Sequence, residues 1–232
     1  MSLILNIESA TDICSVAISR DKELLAIKEL VGNFHAEKMT LLINDCLAAN
    51  GIQLKDLDAV AISNGPGSYT SLRIGASTAK GLCYALDLPM IAVDTLESLA
   101  MAAFAEIGDE TALYCPMIDA RRMEVYTALY QFSKKTGTLE NIEPMYPKII
   151  DGDSYSNYAQ ENRKIYFCGN GAGKCEEILR NSNNFFLAIN CSARYLYMLS
   201  IQALIEKRFV DIAYHTPQYL KAPNITIPKS RL

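Results

Sequence analysis

Residues 62–81 read ISNGPGSYTSLRIGASTAKG: the end of an apolar strand, a Gly-Pro-Gly turn, then a helix with a stripe of small residues. A strand, a tight glycine turn and a helix in that order make the βα unit from which parallel α/β sheets are built. Two readings compete for the turn. Free amides at a helix start attract anions, so Gly65, Gly67 and Ser68 form a candidate anion-binding turn. A P-loop, however, puts a lysine directly after its last glycine, and here none follows until Lys80. A dinucleotide fingerprint fails as well, because Thr70 stands where the third glycine belongs. The alternative is structural: the glycines supply backbone conformations closed to other residues, and Ser68 or Thr70 caps the helix.

On the amino-terminal side, short apolar runs predict strands at Leu3–Ile7, Ile13–Ser19 and Leu24–Leu30, joined by short polar turns into an antiparallel meander. Met39, Leu42, Ile43, Cys46 and Leu47 then fall at helical spacing, and Asn50-Gly51 ends that helix. A strand at Ala59–Ser63 leads into the quoted turn and a helix over Thr70–Leu86. Beyond it lie a strand at Met90–Val93 and a helix with Leu96, Leu99, Ala100, Ala103, Phe104 and Ile107 on one face. Asp94 and Glu97 have the spacing of a capping box for that last helix.

After Gly108 the pattern restarts. ALYCPMID and MEVYTALYQF pair around Arg121-Arg122, and KIYFCGNGAGKCEEIL repeats the strand, glycine turn and helix. Leu3 lies 62 residues before Gly65, and Leu113 lies 56 before Gly169. Two events in the same order at similar separation predict a duplicated lobe. The polar stretch Ser133 to Pro144 reads as a loop and SYSNYAQEN as a short helix.

The chain has 232 residues, half of them apolar, a net charge of −4 and seven cysteines with no C-x-x-C pair. That composition predicts a soluble protein with buried free thiols, and cytoplasmic localisation. An acidic balance argues against direct gripping of nucleic acid. Nothing approaches the apolar length of a bilayer span. Only His35 and His215 are present, so no histidine pair sits at metal-ligand spacing. Glu8, Asp12 and Asp119 read as magnesium candidates or as solvated turn residues. No G-x-S-x-G elbow appears.

Ser71, Gly75, Ala79 and Cys83 recur every four residues. Such a row either seats the helix on the chain's own sheet or lets a second helix approach closely. Leu72, Ala76 and Leu82 offer another apolar face, so the small stripe is expected to be a docking surface. His35, Met39, Ile43 and Cys46 of the preceding helix are expected to join it.

NGPGSYTSLRIGASTAKGL, LPMIAVDTLESLA and MIDARRMEVYTALY together resemble the TsaB family, also called YeaZ. The resemblance runs from about Leu3 into TPQYLKAP and is most specific over Ile118 to Tyr126. It implies a two-lobed, duplicated actin-like (ASKHA) α/β fold, with lobes at 1–109 and 110–232 and a tail that packs back on the first. Each lobe is a mixed sheet with an antiparallel meander, parallel crossovers and flanking helices. It also implies a non-catalytic subunit with no cofactor of its own. That subunit binds the catalytic TsaD through its first two helices and, with the ATPase TsaE, supports threonylcarbamoyl transfer to the adenosine beside the tRNA anticodon. Contact with tRNA is then indirect, and homodimerisation of the isolated chain stays open. The metal-binding H-x-x-x-H of TsaD falls on Thr95 and Leu99, neither an imidazole. The rival readings are an actin-like ATPase or small-molecule kinase using the cleft between lobes, and a metal-dependent peptidase.

Overall fold

The structure is a computed structural model that describes residues 2–222. Its first sheet begins with β1 (Leu3–Glu8), β2 (Ile13–Arg20) and β3 (Glu23–Val31), paired antiparallel. Helix α1 (His35–Ala48) leads to β4 (Ala59–Ser63), which pairs parallel with β1. Helix α2 (Tyr69–Leu86) leads to β5 (Met90–Val93), parallel with β4. The second sheet repeats the plan after α3 (Thr95–Ile107). Strands β6 (Leu113–Asp119), β7 (Glu124–Ser133) and β8 (Thr138–Ile149) form the meander. Helix α4 (Ser156–Gln160), β9 (Ile165–Cys168), α5 (Glu176–Leu179) and β10 (Asn184–Phe186) complete it, before α6 (Leu196–Ile205). The strand orders, β3-β2-β1-β4-β5 and β10-β9-β6-β7-β8, are the same order, one read in reverse. This is the two-lobed, duplicated α/β architecture expected of an actin-like chain.

Side-chain alternation along β1 explains how the layers stack. Leu5 and Ile7 pack with Met39, Ile43, Cys46 and Ala79 of α1 and α2, whereas Ile4 packs with Leu196 and Leu199 of α6. The polar Asn6 is buried because it is satisfied on both sides: its Nδ2 donates to Ser19 Oγ at 3.0 Å and its Oδ1 accepts from Ser200 Oγ at 2.7 Å. The last helix of each half crosses over. Helix α3 follows the first sheet yet buries Leu96, Leu99 and Ala103 against Tyr114, Ile118 and Cys168 of the second. Helix α6 follows the second sheet and packs on the first. Each sheet therefore depends on the other's chain segment for one face. Among the described residues no helix is long and apolar enough to cross a membrane.

Two local expectations are corrected. Residues 138–144 are not loop but the first half of β8, paired with β7 through register shifts near Leu129. An edge strand tolerates exposed Glu140, Asn141 and Pro144, because one of its sides needs no ladder bonds. The Asp94–Glu97 capping box does not form: Asp94 makes no side-chain cap bond. Its Oδ1 instead accepts from Asn64 Nδ2 at 3.0 Å, tying the start of α3 to the end of β4.

Candidate functional site

The eight residues expected to meet a partner are turned inward. His35, Met39, Ile43 and Cys46 of α1 and Ser71, Gly75, Ala79 and Cys83 of α2 are all buried within the chain. A Cβ at Gly75 would collide with Ser9 Oγ and touch Ile7 Cγ2 at 3.8 Å. The small stripe thus lets α2 settle against the end of β1, which closes it to any second protein. Helical geometry gives the reason. Leu72 and Ala76 lie one residue from Ser71 and Gly75, about 100° around the axis, so the small and apolar positions merge into one wide buried face.

The Gly-Pro-Gly turn is likewise consumed by the chain itself. The Ser68 amide donates to Ala10 O at 2.7 Å, and a Cβ at Gly67 would strike that same carbonyl. Gly65 has φ +104°, and its carbonyl accepts from Thr95 N at 3.0 Å. Ser68 Oγ caps α2 by accepting from Ser71 N at 3.4 Å. Gly65, Gly67 and Ser68 therefore hold backbone against backbone, and the Ser68 amide has no capacity left for an anion. The second lobe repeats the device, since a Cβ at Gly171 would lie 2.9 Å from Asp119 N. Lys174, which follows those glycines, donates to Arg122 O and Glu124 O at 2.7 Å each and pairs with Asp119.

Arg121 and Arg122 occupy left-handed backbone at φ 69° and 50°, with both side chains exposed. Neither pairs with Glu124, whose carboxylate is taken by Lys221. Glu8, read as a solvated turn residue or magnesium ligand, is fully buried. Burial pushes its carboxyl up to about 7 against the pull of a 2.7 Å bond from Ala10 N and of Ser63. Its position straight after the apolar run of β1 was the available signal.

His35 Nε2 lies 3.3 Å from Ile13 O, and burial lowers its pKa. His215 is separately lowered, by burial and by Lys80. Thr95 and Leu99 are both buried, the latter within apolar core. Among the described residues no three His, Cys, Asp or Glu side chains converge to hold a metal ion. The seven free cysteines are buried, and desolvation pushes thiols such as Cys14, Cys46 and Cys83 up to about 11, which leaves no activated nucleophile there.

What α1 and α2 do expose is a shallow groove of about 500 Å³ along their outer side. Ala36, Thr70, Ile74, Ser77 and Thr78 line it, with Tyr69 and Arg73 beside them. The Arg73 guanidinium sits 4.4 Å over the Tyr69 ring, and Tyr219 packs on that ring at 4.6 Å between centroids. Sequence reading pointed to these two helices but not to these residues, whose signal was the apolar Ile74 followed by the small, polar Ser77 and Thr78.

The family model described as TsaD, tRNA N6-adenosine threonylcarbamoyltransferase, matches residues 27–228. The chain is 41% identical over 128 residues to the tRNA threonylcarbamoyladenosine biosynthesis protein TsaB of Escherichia coli, a match covering 55% of this chain and 54% of that protein. It spans about half of that relative and 51% of the Haemophilus influenzae one. Against TsaB of Bacillus subtilis the identity is 31% over 225 residues, covering 94% of this chain and 93% of that one. Among solved structures, YeaZ from Pseudomonas aeruginosa superposes with a TM-score of 0.79 at 27% identity, covering 95% of this chain and all of that one.

Proposed function

The chain belongs to the TsaB family of tRNA threonylcarbamoyladenosine biosynthesis proteins, and from that premise we propose that it is a non-catalytic subunit docking TsaD. Docking uses the outer groove of α1 and α2. TsaE joins this pair, and the assembly supports threonylcarbamoyl transfer to tRNA, which this chain meets only indirectly.

One observation carries the reading: the groove beside α1 and α2 is lined by the small, exposed Ala36 and Ser77 and has an aromatic-cationic rim at Tyr69 and Arg73. Small floors let another helix approach closely, and Tyr and Arg are the residue types that anchor interfaces. The rest of the chain supports a binding role over chemistry. The TsaD histidine positions are Thr95 and Leu99, both buried, and the cysteines lack activation.

The test is a calorimetric titration with a TsaD protein. Ser77 is exposed, so Ser77→Arg leaves folding intact and should weaken binding by roughly 30-fold or more. Unchanged affinity would remove the groove from the interface. Turnover of magnesium ATP by the isolated chain would instead favour an ATPase working in the cleft.

A further inference from the structure

After α6 the chain returns to the first sheet through a turn at 212–214 and an irregular stretch beyond it. Val210 N donates to Met90 O at 2.9 Å beside β5, and Lys80 Nζ reaches Ala213 O at 3.4 Å. Further on, Gln218 N donates to Asn64 O at 2.7 Å, just past the carboxyl end of β4. Tyr219 packs on Tyr69, and Lys221 pairs with Glu124 of β7. The segment thus touches both lobes within four residues. Gly65 accommodates it, since a Cβ there would lie 2.7 Å from Gln218 O.

The carboxyl ends of parallel strands are where open α/β sheets receive ligands. Here the chain's own backbone lies across that edge, yet the contact is poorly satisfied. Among the described residues five buried side-chain polar atoms lack a hydrogen-bond partner, and four cluster here: Asn64 Oδ1, Thr95 Oγ1, His215 Nε2 and Tyr219 OH. Native cores leave few such atoms, and each weakens the contact that buries it.

We propose that residues 216–221 are a displaceable strap, which closes the carboxyl-terminal edge of the first sheet and releases it by local opening while both sheets stay folded. Its polar and ring contacts among the described residues are one backbone hydrogen bond, one ring contact and one ion pair, with Pro217 buried beside them. Release uncovers Asn64 and Gly65 and frees Tyr69 at the rim of the α1–α2 groove.

Hydrogen exchange followed by mass spectrometry on the full chain tests this. The Gln218 region should exchange at least about tenfold faster than β4, because local opening needs less free energy than global unfolding. A Tyr219→Ala, Lys221→Ala double variant should raise exchange in residues 61–72 while leaving β6 and β7 protected. Two results overturn the strap: protection of the Gln218 region equal to that of β4, or no change in residues 61–72 in the double variant. Loss of protection in β6 and β7 would also overturn it, by showing that the contact holds the whole fold.

Discussion

The two lobes share one strand order but cover their corresponding faces differently. In the first, α1 has 14 residues and α2 has 18. In the second, α4 and α5 have five and four, and aromatic rings take the space. Phe167 stacks on Phe186 at 5.0 Å and meets Tyr155 at 5.5 Å. The first lobe fills that layer with Met39, Ile43, Cys46 and Ala79. Duplication therefore preserved the hydrogen-bonded sheet, whose ladder is indifferent to side-chain volume. The helical layer was free to diverge, and among the described residues the two long helices of this layer both lie in the first lobe.

If rings replace helices as the filler, the largest penalty should come from removing one. Phe167 is fully buried, so Phe167→Ala should cost about 4 kcal/mol in denaturant unfolding. Cys46→Ala in the first lobe should cost far less, and similar losses in both would break the contrast.

Glu8 provides the next effect, confined to the first lobe. Its folded carboxyl titrates at about 7 against an ordinary 4.5, so the folded state binds its proton more tightly than the unfolded chain. Its stabilisation is complete below pH 4.5 and is lost as pH rises through 7, by roughly 3 kcal/mol. Melting temperature across that window should fall less in Glu8→Gln than in the natural chain. Parallel curves would show that Glu8 stays ionised.

Strand positions in the first lobe were legible to within a residue, because strands covered on both faces read as short apolar runs between polar turns. Helix α2 was equally plain. Its buried side was not, since periodicity states which residues share a face and not what covers it. Gly75 looked like a partner contact, and only the position of Ser9 identifies its neighbour. Polar β8 was illegible for the opposite reason: none of its residues is fully buried, so no apolar pattern marks it. A tail returning to the first lobe was expected, but its seat at Gln218 was not legible, because its hydrogen bond to Asn64 joins backbone atoms. Glu8 and the Gly-Pro-Gly turn were visible as residues, but the turn's burial depends on Ala10, which is distant from it in sequence, and Glu8 is covered by tertiary packing that its neighbours along the chain do not announce.

The mid-helix glycine also separates the lobes. Gly75→Val pushes side-chain bulk into Ser9 and should destabilise by about 2 kcal/mol through overpacking. This reverses what a docking stripe would give, namely lost binding with an intact fold. Its counterpart test is the smallest effect expected. Gly173 begins the short turn before α5, and a Cβ there meets nothing within 4 Å. The backbone there is already helical, so Gly173→Ala should stabilise by about 0.5 kcal/mol by restricting the unfolded chain. Opposite signs in the two thermal melts follow if first-lobe helices sit hard on the sheet while second-lobe turns stand clear of it. A destabilising Gly173→Ala would mean that α5 is as tightly seated as α2, and that ring packing is not what relieved it of length.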